Sequence, residues 1–385
     1  MGREIFSPAF GNRPSYLVGR DQLLDRLLTG LSSTPGSRDR SVVMLGQRGS
    51  GKTVLLWELA ELATKHGYVV AAPTVASEGM TERIVEKVQE AGERLIAPRP
   101  GARVSSGSFG ALGFTVGLEF SREVQETKSF QFKLTQLVRR LNAHGHGILI
   151  LIDELQANSP EVRQLVTVYQ EMIGEGLDVA LVLAGLPGAV SATLNDRVLT
   201  FLNRASKVEL GPLATSDVQS FYERAFAELG VRIGGDRVRG LARATQGSPY
   251  LLQLLGYNIS LRLPDGGDLT DEIMRNAICA AEDDFENDVC GTTLAALSGQ
   301  DIAFLQAMAR DNGSSRMSDI AGRMKQSPDY AQKYRKRLID AGVISAAGHG
   351  YVTFAIPYMR EHLRKMAFDL QPLRVDRRRV TRGAL

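Results

Sequence analysis

The chain has 385 residues, 43% apolar and 23% charged, an ordinary composition for a globular protein with room for two or three cores. No apolar run reaches the ~18 residues a membrane span needs, and the opening MGREIFSPAF has an acid and a proline where a secretion signal would carry its apolar stretch, so the expectation is a cytoplasmic protein with no membrane partner. The two cysteines, Cys279 and Cys290, sit in no Cys/His cluster, which excludes a zinc or disulfide framework, and His144 and His146, flanking Gly145, read as loop residues rather than a ligand pair.

The net charge of +3 is unevenly spread: residues 301–385 hold 16 Lys and Arg against 8 Asp and Glu, a net of +8, leaving −5 for the rest. A basic C-terminal piece on an acidic body suits a polyanion partner for that piece.

The first element in chain order with chemical content is 46-GQRGSGKT-53, which fits G-x-x-x-x-G-K-[ST]. The apolar strand 41-SVVML-45 precedes it and the helical 54-VLLWELAELATKHG-67 follows. Glycines at 46, 49 and 51 let the backbone curl so that the N–H groups from Gly46 through Gln47, Arg48, Gly49, Ser50 and Gly51 to Val54 face phosphates, aided by the helix N-terminus. Lys52 reaches the β- and γ-phosphates and the Thr53 hydroxyl binds Mg²⁺. The ligand is therefore ATP or ADP with Mg²⁺.

Helices over 81–97 and 129–143 flank 101-GARVSSGSFGALGFTVGLEFSRE-123. There Phe114, Val116, Leu118 and Phe120 alternate with Thr115, Gly117 and Glu119, which reads as an inserted β-hairpin over about 101–124. It either covers the sheet edge or makes a subunit or DNA contact. Next, 148-ILILIDELQ-156 places five apolar residues before two carboxylates, the pattern of a buried parallel strand ending at the ligand-binding edge of the sheet. Asp153 is placed to hold Mg²⁺, and Glu154 to orient or deprotonate a water aimed at the γ-phosphate. A helix over 161–174 leads to another buried strand, 178-DVALVLAGL-186.

Together these residues resemble the AAA+ ATPases, within the class that includes the origin-recognition and STAND signalling ATPases, and most of all the bacterial ATP-binding proteins related to the origin-recognition ATPases. The resemblance covers roughly residues 10–365. It implies an α/β P-loop NTPase core of the AAA+ type with a parallel sheet over 1–213, a helical lid and linker over 214–298, a winged-helix domain over 299–366 and a basic tail over 367–385. It makes 17-LVGRDQLLDRLL-28 the helix leading into the nucleotide site, which adds Val18 and Arg20 to the cofactor residues. In 198-VLTFLNRASKVELGPL-213 it makes Arg204 a candidate arginine finger or cis-arginine, alongside Lys52 and Glu154 in the catalytic set. In 247-GSPYLLQLLG-256 it puts Pro249 beside the adenine or sugar. One departure stands out. At 184-AGLPG-188 the family carries a polar γ-phosphate sensor and this chain has Ala184, Gly185, Leu186 and Pro187, which favours a slow switch over a motor.

Further on, 270-TDEIMRNAICAAEDDFENDVC-290 reads as an acidic helix. Helices over 299–313 and 316–324, a turn at 325–328 capped by Ser327 or Asp329, a third helix over 329–342, and two strands around a glycine-rich tip in 343–357 form a helix–helix–helix–wing order. In the third helix Ala331, Tyr334, Leu338 and Ile339 fall on the inward stripe, which leaves Tyr330, Gln332, Lys333, Lys336 and Arg337 to contact DNA. His349 marks the wing tip, and Arg374, Arg377, Arg378, Arg379 and Arg382 in the tail add general phosphate attraction. The expectation is a slowly hydrolysing ATP switch that sets a DNA-binding winged helix and self-assembles with ATP. The alternative is a STAND-like scaffold whose winged helix contacts protein.

Overall fold

The computed structural model describes residues 5–8, 14, 16–96, 129–263 and 268–369. The expected hairpin at 101–124 and the arginines of 374–382 lie outside the described residues. Contacts divide the chain into two units. The first comprises Arg20–Gly46 and Lys52–Leu210. The second holds the residues before Arg20, the loop Gln47–Gly51, and everything from Gly211 onward.

The first unit is built on a parallel five-stranded sheet. Its strands are β1 (Ser41–Gly46), β2 (Val69–Val75), β3 (Ile148–Leu155), β4 (Val179–Gly185) and β5 (Ser206–Leu210), in the spatial order β2-β3-β4-β1-β5. The helices between them are α1 (Asp21–Leu31), α2 (Lys52–Lys65), α3 (Met80–Ile96), α4 (Phe130–Ala143), α5 (Pro160–Gly174) and α6 (Pro187–Leu194). β3 and β4 are continuous apolar runs because both faces of a parallel sheet are covered; in β3 only Glu154 is exposed. β5, at the sheet edge, alternates buried and exposed residues instead. Ser129 and Ser159 cap α4 and α5 with their hydroxyls, accepting from Phe132 and Val162 N–H, and Pro160 occupies the first turn of α5. Just ahead of β1, buried Arg40 pairs with Asp178 and donates to the carbonyls of Leu31 and Ser33.

The second unit has one continuous buried cluster that runs from Phe6 to Leu363. Its helices are α7 (Thr215–Glu228), α8 (Gly235–Ala244), α9 (Pro249–Ser260), α10 (Asp271–Phe285), the short α11 (Thr292–Ala295), α12 (Gly299–Met308), α13 (Met317–Met324), α14 (Pro328–Asp340) and α15 (Met359–Asp369), with a π turn at Glu286–Gly291. A small antiparallel sheet has the order β6 (Ser315–Arg316), β8 (Tyr351–Phe354), β7 (Ile344–Ala346). The N-terminal segment joins this core. Phe6 is 4% exposed between Phe221, Tyr222 and Phe226, with ring centroids at 5.8, 6.2 and 5.7 Å. It sits directly over Gly256, where a β-carbon would fall 2.1 Å from the ring.

Three differences from the sequence reading have physical causes. The helix expected over 299–313 stops at Met308, because arginines take the carbonyls that would continue it. Arg323 binds Ala307 O and the Asp311 carboxylate, Arg360 binds the carbonyls of Asn312 and Gly313, and Arg364 binds those of Ala309 and Asp311. Part of the basic excess of this region is thus spent on its own loop. Ser315–Arg316 forms a strand too short for periodicity to reveal. The last helix, α15, buries Met359 and Leu363 in the common core. Ser327, not Asp329, caps α14, accepting from Tyr330 N–H at 3.2 Å. Cys290 is buried, and burial pushes its thiol up to about 12, while Cys279 is exposed.

Candidate nucleotide site

The first unit brings Lys52, Thr53, Asp153 and Glu154 to the C-terminal edge of its sheet, where ligands bind in open α/β folds. β1 ends at Gly46, α2 starts at Lys52, and β3 ends just past Glu154. The Lys52 ammonium donates to the Gly46 carbonyl at 2.8 Å, so it folds back over the loop mouth. The Thr53 hydroxyl donates to Asp153 Oδ2 at 2.6 Å. Asp153 is 5% exposed, and its Oδ1 accepts from the Glu154 N–H at 2.8 Å. Glu154 itself is exposed and stands at φ 50°. The β3–β4 register shifts between Ile152 and Leu155. Such a bulge beside a site re-aims side chains; here it turns Glu154 away from the buried stripe that Asp153 follows.

The bulge also bears on the end of β4. Leu155 lies over Gly185, where a β-carbon would meet the Leu155 Cβ at 2.8 Å. Ala184 is fully buried and Pro187 opens α6.

Gln47–Gly51 groups with the second unit. Gly49 (φ 73°) and Gly51 (φ 86°) take the left-handed backbone that the curl requires. Arg48 is exposed, Gln47 and Ser50 are half-buried, and the Ser50 Oγ is buried without a hydrogen-bond partner among the described residues. Pro249 is the first residue of α9, behind the cap Ser248. Val18 packs on the common core of the second unit. Val54, in α2, and Arg20, just ahead of α1, are half-buried. Arg204 is exposed at the end of a 3₁₀ turn, Thr200–Arg204, ahead of β5.

On α14 the expected division of faces is present, with two changes. Ala331, Tyr334 and Leu338 are buried, while Gln332, Lys333 and Lys336 are exposed. The Tyr330 hydroxyl lies 3.1 Å from that of Tyr334, and this contact raises the Tyr330 pKa. Arg337 is exposed at its stem but its guanidinium is 2.8 Å from the fully buried Asp301 carboxylate, so it ties α14 to the start of α12.

Sequence reasoning missed Tyr250. It follows Pro249 in α9, stacks near Phe285 and donates its hydroxyl to Asp288 at 2.6 Å. Burial, then Asp288, holds its pKa well above the usual value. The only signal for it was an aromatic beside the G-x-P stretch. No group of His, Cys, Asp and Glu among the described residues could hold a metal by itself, and no described helix is long and apolar enough to cross a membrane.

A family model described as AAA ATPase domain matches residues 16–182, and one described as a domain of unknown function (DUF8462) matches residues 287–363. The fold is similar to a Walker-type ATPase of Pyrococcus abyssi, with TM-score 0.66 and 16% identity over 91% of this chain and 97% of that one. It is also similar to the ORC2 protein of Aeropyrum pernix in its ADPNP–ADP complexes, with TM-score 0.62 and 15% identity over 96% and 98%. The ADP form of that protein gives 0.55 and 15% over 96% and 99%. No curated protein matches the chain.

Proposed function

We propose that this chain, which carries an AAA ATPase domain match over residues 16–182 and has a fold similar to that of the ORC2 protein of Aeropyrum pernix, is an ATP-binding AAA+ P-loop ATPase that works as a slow nucleotide switch, its state controlling a winged-helix DNA-binding domain and self-assembly. The observation that carries the ATPase half is the Thr53–Asp153 bond beside Lys52. Two hard oxygen donors meeting at one point fit Mg²⁺, which Thr53 and Asp153 would hold. Bound there, the ion would neutralise charge on the β- and γ-phosphates. Lys52 moves from the Gly46 carbonyl to the phosphates, and the loop N–H groups cradle them. Glu154, exposed at the bulge, orients the attacking water and accepts its proton. With apolar Ala184 and Leu186 where a sensor would stand, the γ-phosphate has fewer contacts that strengthen at the transition state, which slows turnover.

The control half rests on the second unit. α12, α13 and α14 followed by the β7–β8 hairpin have the order of a winged helix, with Gly348, His349 and Gly350 at the wing. Gln332, Lys333 and Lys336 form its open face, and Tyr330 flanks it. Arg337 serves Asp301, so the reading face is smaller than the charge of the helix suggests. Arg204, exposed ahead of the edge strand β5, suits a contact with the nucleotide of a neighbouring copy.

The test is duplex binding against salt concentration, with ATP and with ADP. If Lys333 and Lys336 each neutralise a phosphate, Lys333→Ala/Lys336→Ala lowers the slope of log K against log salt by about 1.8. An unchanged slope removes Lys333 and Lys336 from the reading face, and no duplex affinity in either state assigns the winged helix to a protein partner. Light scattering of the wild type and Glu154→Gln with ATP, ADP and neither reads the assembly; no size change in any state removes it.

A further inference from the structure

The turn between α8 and α9, Thr245–Ser248, faces the phosphate loop within the second unit. β-Carbons built on Gly51 and Gly49 would lie 3.6 Å from the Pro249 ring and 3.4 Å from the Tyr250 Cβ. The turn has little freedom of its own. Gln246 (φ 46°) and Gly247 (φ 72°) are both left-handed. A side chain on Gly247 would strike Pro212 at 2.7 Å, and the Gly247 carbonyl accepts from Leu213 N–H at 2.8 Å.

Two tyrosines tie this turn to the C-terminal region from opposite directions. The Tyr250 ring runs along Phe285, and its hydroxyl reaches Asp288 in the π turn. Tyr358, at φ 56° just before α15, donates to the Ala244 carbonyl at 2.6 Å. The circuit is closed inside the π turn, where the buried Glu286 carboxylate is held by His362 Nδ1 at 3.1 Å and by Lys365 Nζ at 2.8 Å, both from α15. A π turn is rare and gathers at functional sites. A rigid ring with a charge-assisted hydrogen bond at its far end couples the displacement of one partner to the other.

We propose that Tyr250 and Tyr358 are positioning residues of the α8–α9 turn: they hold that turn beside the phosphate loop and carry any displacement of the loop into the π turn and α15. Nucleotide thereby acts on the winged helix through the π turn. The route rests on the switch reading above and adds its moving parts. A phosphate that draws in the backbone at Gly49 and Gly51 displaces Pro249 and Tyr250, and Asp288 follows the hydroxyl.

The experiment uses the full chain with Tyr250→Phe and Tyr358→Phe, which keep the ring, and with Asp288→Ala, which removes the acceptor at an exposed position. Fluorescent ATP and ADP analogues give nucleotide affinity, steady-state assays give kcat and KM, and a random-sequence duplex gives DNA affinity in each nucleotide state. Nucleotide affinities are expected to stay within about threefold of wild type while the ATP-to-ADP ratio of duplex affinities collapses to within about twofold of one. Tyr250→Phe and Asp288→Ala should have the same effect singly and together, since each cuts the one bond, by removing its donor or its acceptor. Variants that keep the wild-type ratio overturn the proposal. If the wild-type ratio is itself one, the control of DNA binding falls, and hydrogen exchange at residues 286–291 decides the route. An ATP-dependent change in wild type that is lost in Tyr250→Phe supports it, and a change retained in the variant, or absent from wild type, overturns it. Should Tyr250→Phe fail to fold, Asp288→Ala reads the same bond from its other end.

Discussion

The Thr53 hydroxyl and the Asp153 carboxylate meet at 2.6 Å across 100 residues of chain. The strand order explains how: β4 lies between β1 and β3, so the residue opening α2 and the end of β3 converge over the end of one intervening strand. Asp153→Asn keeps the shape and removes the charge. Turnover of ATP should fall by on the order of 10²-fold or more, with a higher Mg²⁺ requirement, measured by phosphate release across a MgCl₂ series.

On the proposed mechanism Glu154 has a different task from its neighbour and should fail differently. Glu154→Gln is expected to retain nucleotide affinity and lose roughly 10²–10⁴-fold in kcat, the range for a general base. Equal loss in the affinity of a fluorescent ATP analogue would assign it to binding instead.

Phe6 and Gly256 are a matched pair in the second unit. Phe6→Ala should cost about 3–5 kcal/mol, and Gly256→Ala about 1–3 kcal/mol from overpacking against the ring. Combined, they should cost less than their sum, because the new methyl enters the space the ring has left. Thermal unfolding of the four proteins measures it.

The Asp311 carboxyl is held below its ordinary range, first by its hydrogen bonds from Arg323. It stays ionised in the folded chain where the unfolded chain would bind a proton, so its contribution is complete above ~3.9. The contribution is lost as the pH falls through the lower folded value, because stability rises with pH wherever the unfolded state holds more protons. Asp311→Asn should be less stable at neutral pH and should show a shallower acid limb in its melting temperatures.

Arg337 and its neighbours on α14 should separate cleanly. Arg337→Ala removes the only cation paired with the buried Asp301 among the described residues, leaving its carboxylate with the Ser298 N–H and hydroxyl alone, and should cost about 1–3 kcal/mol in denaturant unfolding. Lys333→Ala and Lys336→Ala, at exposed positions, should stay within about 0.5 kcal/mol. A variant of Arg337 that binds duplex poorly while fully folded would return it to the reading face.

The elements that carry the candidate site were legible in the sequence because their spacing is local. A strand, a glycine turn, a lysine and a helix declare a phosphate loop within about a dozen residues, and β3 declares itself by five apolar residues before two acids. The inward stripe of α14 was legible for the same reason. What escaped depends on residues far apart. Nothing in MGREIF announces that Phe6 will fill a gap over Gly256, and nothing in α15 announces that Arg360 and Arg364 will end α12 by taking its loop carbonyls. Tyr250 and Asp288 are 38 residues apart, and Arg337 and Asp301 belong to different helices. Periodicity assigns a side chain to a face; it does not say which charge on that face is already spent.

The position of β1 between β4 and β5 has a practical consequence for dissecting the protein. The AAA ATPase match ends at residue 182, inside β4 and ahead of β5. A fragment cut at that border would truncate one flank of the phosphate-loop strand and strip the other, exposing the backbone of β1 from Val42 to Gly46 as a raw edge open to pairing with other chains. The segment that is recognised by descent is thus shorter than the segment able to fold, and an excised catalytic piece would have to run at least through Leu210.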